Sequence, residues 1–127
     1  MMLRQGPISH FLHGAIEYVA AILLIAAPFL FSFDSNAATA LAVVAGIIVL
    51  ILAASSDSPT SLINSVPVAT HVVLDYVLAG VLIASPFLFG FSDETTPTSF
   101  FLVLGIAHLL VTIGTRFKAG REPAAPR

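Results

Sequence analysis

Two short steps along this chain carry most of its chemistry. His13 and Glu17 are spaced i, i+4, and His71 and Asp75 repeat that spacing further on. On a helix, residues four apart share one face, so each step aims an imidazole and a carboxylate the same way. Tyr18 and Tyr76 follow each carboxylate by one position, and His108 supplies a further imidazole. Imidazole beside carboxylate supports three behaviours. It can act as a hydrogen-bonded lock, with each His holding its own carboxylate. It can exchange protons or hold a cation near neutral pH. It can also ligate a metal such as Fe, Mn or Zn, or place two His on either side of a haem iron. Nothing near the carboxylates resembles a nucleophile with its base, so no catalytic residue is assigned. The chain has no cysteine, which excludes thiolate nucleophiles, iron–sulfur clusters, Cys-ligated zinc and disulfides.

The elements that must position these groups follow from composition. Only 9% of residues are charged and 57% are hydrophobic, against about 25% charged in soluble domains. The apolar residues fall into four blocks, 11–33, 37–54, 68–91 and 99–117. At 1.5 Å per residue, ~20 helical residues cross a ~30 Å hydrocarbon core. The blocks are continuous and do not alternate, which argues against a β-barrel. The expected fold is therefore all-α, a four-helix transmembrane bundle, and the lipid bilayer is the first partner.

The chain also duplicates itself. His13-Gly-Ala-Ile-Glu17-Tyr18, running to Ala27-Pro28-Phe29-Leu30-Phe31-Ser32-Phe33, returns as His71-Val-Val-Leu-Asp75-Tyr76, running to Ser85-Pro86-Phe87-Leu88-Phe89-Gly90-Phe91. About half the aligned positions are identical, beyond what shared composition produces. Each copy with the block after it makes a helical hairpin. A unit that crosses twice inserts in the same orientation each time, so two parallel hairpin repeats are expected, related by a pseudo-two-fold axis along the membrane normal. The duplication also argues that the first block, which could be read as a cleavable signal, is retained as a helix.

The stretch Ser85-Pro86-Phe87 in the first helix of a hairpin resembles the SPW-repeat family of small integral membrane proteins. Its repeat is a two-helix unit with a Ser-Pro-Trp motif in the first helix. Here the third residue is Phe in both copies (Phe29, Phe87) and Ala27 replaces Ser in the first; the chain has no Trp. The resemblance implies the repeated two-helix fold and a membrane location, and it supplies no activity or site residue.

Residues 1–10 form a short lead, with Ser9 as the expected N-cap of the first helix. Residues 55–67 form the long connection between repeats, where Ser58-Pro59 is expected to open one short helical turn. The tail, 118–127, is predicted to be disordered. Pro28 and Pro86 cannot donate to the carbonyls of Leu24 and Leu82, so each first helix is expected to kink there, with Ser85 satisfying a freed carbonyl. Ala42/Gly46 and Gly80/Ala84 are expected at close helix contacts. Every Lys and Arg lies at the termini: Arg4, Arg116, Lys118, Arg121 and Arg127. The opposite turns hold Asp34, Asp93 and Glu94, expected to be a solvated rim. The positive-inside rule then places both termini in the cytoplasm and the chain in the cell (inner) membrane. The basic residues are too scattered for nucleic acid.

His108 lies eight residues before Arg116, roughly 12 Å in from the helix end and close to the depth of Asp75. His13, Glu17, His71, Asp75 and His108 are therefore expected to converge between the helices, with His10 left at the interface. A carboxylate in a spanning helix costs about 2.5–3.5 kcal/mol at the centre and less near the surface, so such groups face inward and pair. The reading is a non-enzymatic accessory or structural membrane component, alone, as a homo-oligomer or in a larger membrane complex, with no cofactor required. A proton- or cation-handling protein and a metal- or haem-binding redox protein are the alternatives, the metal left unspecified.

Overall fold

The computed structural model describes residues 6–117. Four helices dominate it: α1 (His10–Leu30), α2 (Asn36–Ser55), α3 (Val68–Leu88) and α4 (Thr95–Gly114). Each is long and apolar enough to cross a membrane. The fold is thus an all-α bundle of four membrane-spanning helices. Two residues before α1, β1 (Ile8–Ser9), pair in parallel with two after α4, β2 (Thr115–Arg116). The predicted lead lies partly, and the predicted tail wholly, outside the described residues.

The closest helix contacts are α1 with α2 and α3 with α4, with α1 also touching α4. Lipid gives apolar faces no reason to leave it, so close approach through small residues has to hold the helices together. Gly46 and Gly105 occupy matching places in the two hairpins. A Cβ on Gly46 would lie 2.6 Å from Ile25 Cγ1 and 2.8 Å from the Ala21 carbonyl; on Gly105 it would lie 2.8 Å from Ile83 Cγ1. Ala42 is fully buried beside Gly46. Gly80 departs from expectation: it is exposed, and a Cβ there would meet nothing within 4 Å. Most of each helix surface stays open, and the exposed residues include Val19, Ile22, Ile51, Val73, Val103 and Leu110, as a lipid-facing surface requires.

The helix ends differ from the apolar blocks for local reasons. In α1, Phe31 N–H donates to Ala27 O (2.8 Å) and Phe33 N–H to Pro28 O (3.0 Å), with Ser32 between them at φ 52°. In α3, Phe89 donates to Ser85 (2.9 Å) and Phe91 to Pro86 (3.0 Å), with Gly90 at φ 76°. A bond from six residues back to one, closed over a left-handed residue, is the Schellman C-cap. The helices end at Leu30 and Leu88 and do not run on to Phe33 and Phe91, so Pro28 and Pro86 sit in the last turn, two residues before the end. Ser85 Oγ donates to Val81 O (2.6 Å), its own i−4 carbonyl, and not to the carbonyl of Leu82 that Pro86 leaves free.

α4 begins at Thr95, earlier than the block starting at 99. Pro97 falls in the first helical turn, where its missing N–H is no loss. It ends at Gly114, before Phe117, because Thr115 and Arg116 turn extended to pair with β1. Ser9 does cap α1, accepting from Leu12 N–H at 3.0 Å, and Ser35 caps α2 through Ala38 N–H at 3.1 Å. The connection at 56–67 holds no helix. It makes one turn, Ser61 N–H to Ser58 O at 3.3 Å, and folds back onto α2. There Leu62 and Ile63 donate to Ala54 O, and Ser65 and Val66 to Ser55 O. Those bonds satisfy carbonyls that a helix end would leave orphaned.

Candidate functional site: a buried histidine–carboxylate cluster

The first turns of α1 and α3 and the last turns of α4 meet at the end of the bundle that carries the termini. All five predicted groups come together there, with side chains almost completely buried: His13 1% exposed, Glu17 2%, His71 5%, Asp75 0% and His108 6%. They sit inside because the helix face each pair occupies is the one that meets the other repeat.

The pairing is crossed. His13 Nε2 lies 3.0 Å from Asp75 Oδ2, and His71 Nε2 lies 2.8 Å from Glu17 Oε2. The contacts within each helix are longer: 3.3 Å for His13–Glu17 and 3.2 Å for His71–Asp75. Each His therefore holds the carboxylate of the other repeat most closely, not its own as the i, i+4 spacing alone implies. The four atoms form a ring in which nitrogen and oxygen alternate, all within 4.8 Å of one another.

His108 approaches from α4. Its Nε2 lies 3.4 Å from Asp75 Oδ1, near enough for charge attraction but outside hydrogen-bond range. Neither atom has a hydrogen-bond partner, though both are buried.

A hydroxyl fixes the tautomer of His13. Thr115 Oγ1 donates to Val111 O at 2.5 Å and stands 2.9 Å from His13 Nδ1. A hydroxyl has one hydrogen, and a carbonyl can only accept, so the Thr115 hydrogen is committed to Val111. Towards His13 the Thr115 oxygen is then the acceptor, and His13 Nδ1 carries a hydrogen. Nε2 faces the carboxylates, either as an N–H or as a bare lone pair. A lone pair against carboxylate oxygens needs a cation between them.

A family model for the SPW repeat domain matches residues 11–115. The chain belongs to the SPW repeat family. No curated protein and no solved structure matches it. The SPW repeat family is not a known enzyme family, and with the four spanning helices it makes this a small multi-pass membrane protein in a lipid bilayer. The SPW-type motif occupies the ends of α1 and α3 far from the cluster, so each repeat carries a polar step at one end and a cap at the other.

Residues flanking the matched SPW repeat span help to enclose the cluster. Phe117, fully buried, packs edge-on against His13 with centroids 4.8 Å apart and against His10 at 5.5 Å. His10 thus lies beside the cluster and outside its ring. The β1–β2 pair carries Thr115 into place, and Tyr18 O–H donates to Thr60 O (2.9 Å), tying the connection to α1. Sequence reasoning missed Thr115 and Phe117, whose roles depend on α4 ending before them. The two imidazoles do not face one another across an open gap, because the carboxylate oxygens stand between them.

The opposite end has ties of its own. Phe33 and Phe100 stack edge-to-face at 5.8 Å, and Phe91 packs on Phe101 at 5.1 Å. Glu94 Oε1 accepts from Ser35 N–H at 2.9 Å. Of the three acidic residues expected as a solvated rim, Asp34 and Asp93 are exposed, while Glu94 joins the two turns.

Proposed function

We propose that this SPW repeat protein is a non-enzymatic membrane component whose two hairpins are parallel repeats, locked together by the crossed His–carboxylate pairs. The observation that carries the reading is the reciprocal geometry: His13 to Asp75 at 3.0 Å and His71 to Glu17 at 2.8 Å. Under a pseudo-two-fold axis along the membrane normal, each of these contacts is the image of the other. In low-dielectric surroundings an unpaired carboxylate is costly, so neither hairpin buries its own charged turn well without its partner. Pairing across the repeats makes the assembled bundle the stable state.

The charge distribution supports an orientation with both termini in the cytoplasm of a cell-membrane protein, since Lys and Arg cluster at the termini. The cluster then lies in the cytoplasmic half of the bilayer. The apolar outer surface suits self-association or docking into a larger membrane complex. Proton or cation handling is the competing reading, and the closed roof of Phe117, Thr115 and the connection favours the lock over a conducting path.

Reconstitution into lipid vesicles separates the two. The lock predicts proton flux no greater than that of protein-free vesicles, both for the natural chain and for Glu17→Gln/Asp75→Asn. Flux that the natural chain supports and the folded double variant loses would overturn the proposal.

A further inference from the structure

The alternating ring has the dimensions of a metal site. Its edges are 3.0, 3.3, 2.8 and 3.2 Å. With a separation of up to 4.8 Å across it, the ring is nearer flat than tetrahedral and its corners lie about 2–2.4 Å from the centre, so its widest pair would draw in by a few tenths of an ångström to reach bonding distance. Zinc–nitrogen and zinc–oxygen bonds run about 2.0–2.2 Å. Two neutral imidazoles and two carboxylates also balance one divalent cation, so loading the ring leaves the buried cluster without net charge.

Two outer contacts fit the same reading. The acceptor role of Thr115 puts the His13 hydrogen on Nδ1 and leaves Nε2 to ligate, the orienting partner that metal-bound imidazoles regularly have. Asp75 turns Oδ2 into the ring and Oδ1 towards His108 Nε2 at 3.4 Å, two buried atoms without hydrogen-bond partners. A move of a few tenths of an ångström would make His108 a donor to that carboxylate.

We propose that His13 Nε2, Glu17 Oε2, His71 Nε2 and Asp75 Oδ2 form a site for one divalent first-row transition-metal ion per chain. The mixed nitrogen and oxygen set selects ions of the Zn and Fe(II) kind over Mg or Ca, which prefer oxygen alone, and the absence of sulfur disfavours Cu(I). Thr115 and His108 are positioning residues. The inference rests on the crossed lock and assigns an ion to its centre.

The test uses the full chain in mild detergent, stripped with chelator and dialysed against Zn(II), then Co(II) as a spectroscopic probe. Expected are one Zn per chain, a Co(II) visible spectrum of nitrogen and oxygen ligation, and loss of both in Glu17→Gln/Asp75→Asn, whose amides still hydrogen-bond. Thr115→Val keeps all four ligands and should weaken Zn binding about 10–100-fold, the usual effect of removing an orienting partner. Folded natural protein that takes up no Zn, or a double variant that binds it equally well, would overturn the ion. The melting temperature of the stripped protein tests the lock separately. If it exceeds that of Glu17→Ala/Asp75→Ala while no Zn binds, the lock stands and the ion fails; equal melting of the two would sink the lock.

Discussion

Ser32 and Gly90 hold the same left-handed place in two copies of one cap, so exchanging them gives a controlled experiment. Ser32 has φ 52° and Gly90 φ 76°. A side chain in that region costs roughly 1–2 kcal/mol. Glycine returns part of this, about 0.5–1 kcal/mol, because its unfolded chain is freer. The difference predicts that Ser32→Gly stabilises the protein by about 0.5–1 kcal/mol and that Gly90→Ser destabilises it by a similar amount. Sterics do not confuse the second change, since a Cβ on Gly90 would meet nothing within 4 Å. The two sites lie in separate repeats without a shared hydrogen bond, so the double exchange should come out near zero by additivity. Equilibrium unfolding in mixed micelles, followed by far-ultraviolet circular dichroism, measures all three. A neutral or stabilising Gly90→Ser would refute the cap, as would a destabilising Ser32→Gly.

Two further changes probe the packing that positions the cluster. Gly46→Val should cost about 1–3 kcal/mol, the range for overpacking. Its Cβ would press on the Ala21 carbonyl, and backbone cannot swing aside; Gly80→Val, measured in the same assay, should change stability far less. Glu94→Ala removes the acceptor for Ser35 N–H and should cost about 1 kcal/mol, read as earlier unfolding, with Asp93→Ala as a near-neutral control.

The architecture was legible because its causes are local and repeated. Apolar blocks of spanning length specify helices, and the His13/Glu17 and His71/Asp75 steps specify which faces turn inward. The convergence of His108 followed from counting residues back from Arg116. What escaped depends on contacts between distant segments. The spacing pairs each His with its own carboxylate, and only the approach of α1 to α3 makes the shorter bond run across. Thr115 became a partner of His13 because β2 leaves the helix to pair with Ile8–Ser9. The prolines were legible as helix breakers, but where each helix stops depends on a left-handed residue four places later. Gly90 announces that residue in the second copy and Ser32 hides it in the first. Glu94 looked like a surface charge because its partner is a backbone amide, which no side-chain pattern reveals.

The most direct test of the crossed lock is a set of double-mutant cycles among its four members, measured by unfolding in micelles. Truncating His13 with Asp75, and His71 with Glu17, should give coupling energies of about 1–3 kcal/mol, the range for a charge-assisted hydrogen bond. The same-helix pairs, His13 with Glu17 and His71 with Asp75, should couple less, as their longer contacts of 3.3 and 3.2 Å require. Same-helix coupling equal to or above the crossed coupling would mean that each repeat satisfies its own charges, and the account of a lock between repeats would be wrong.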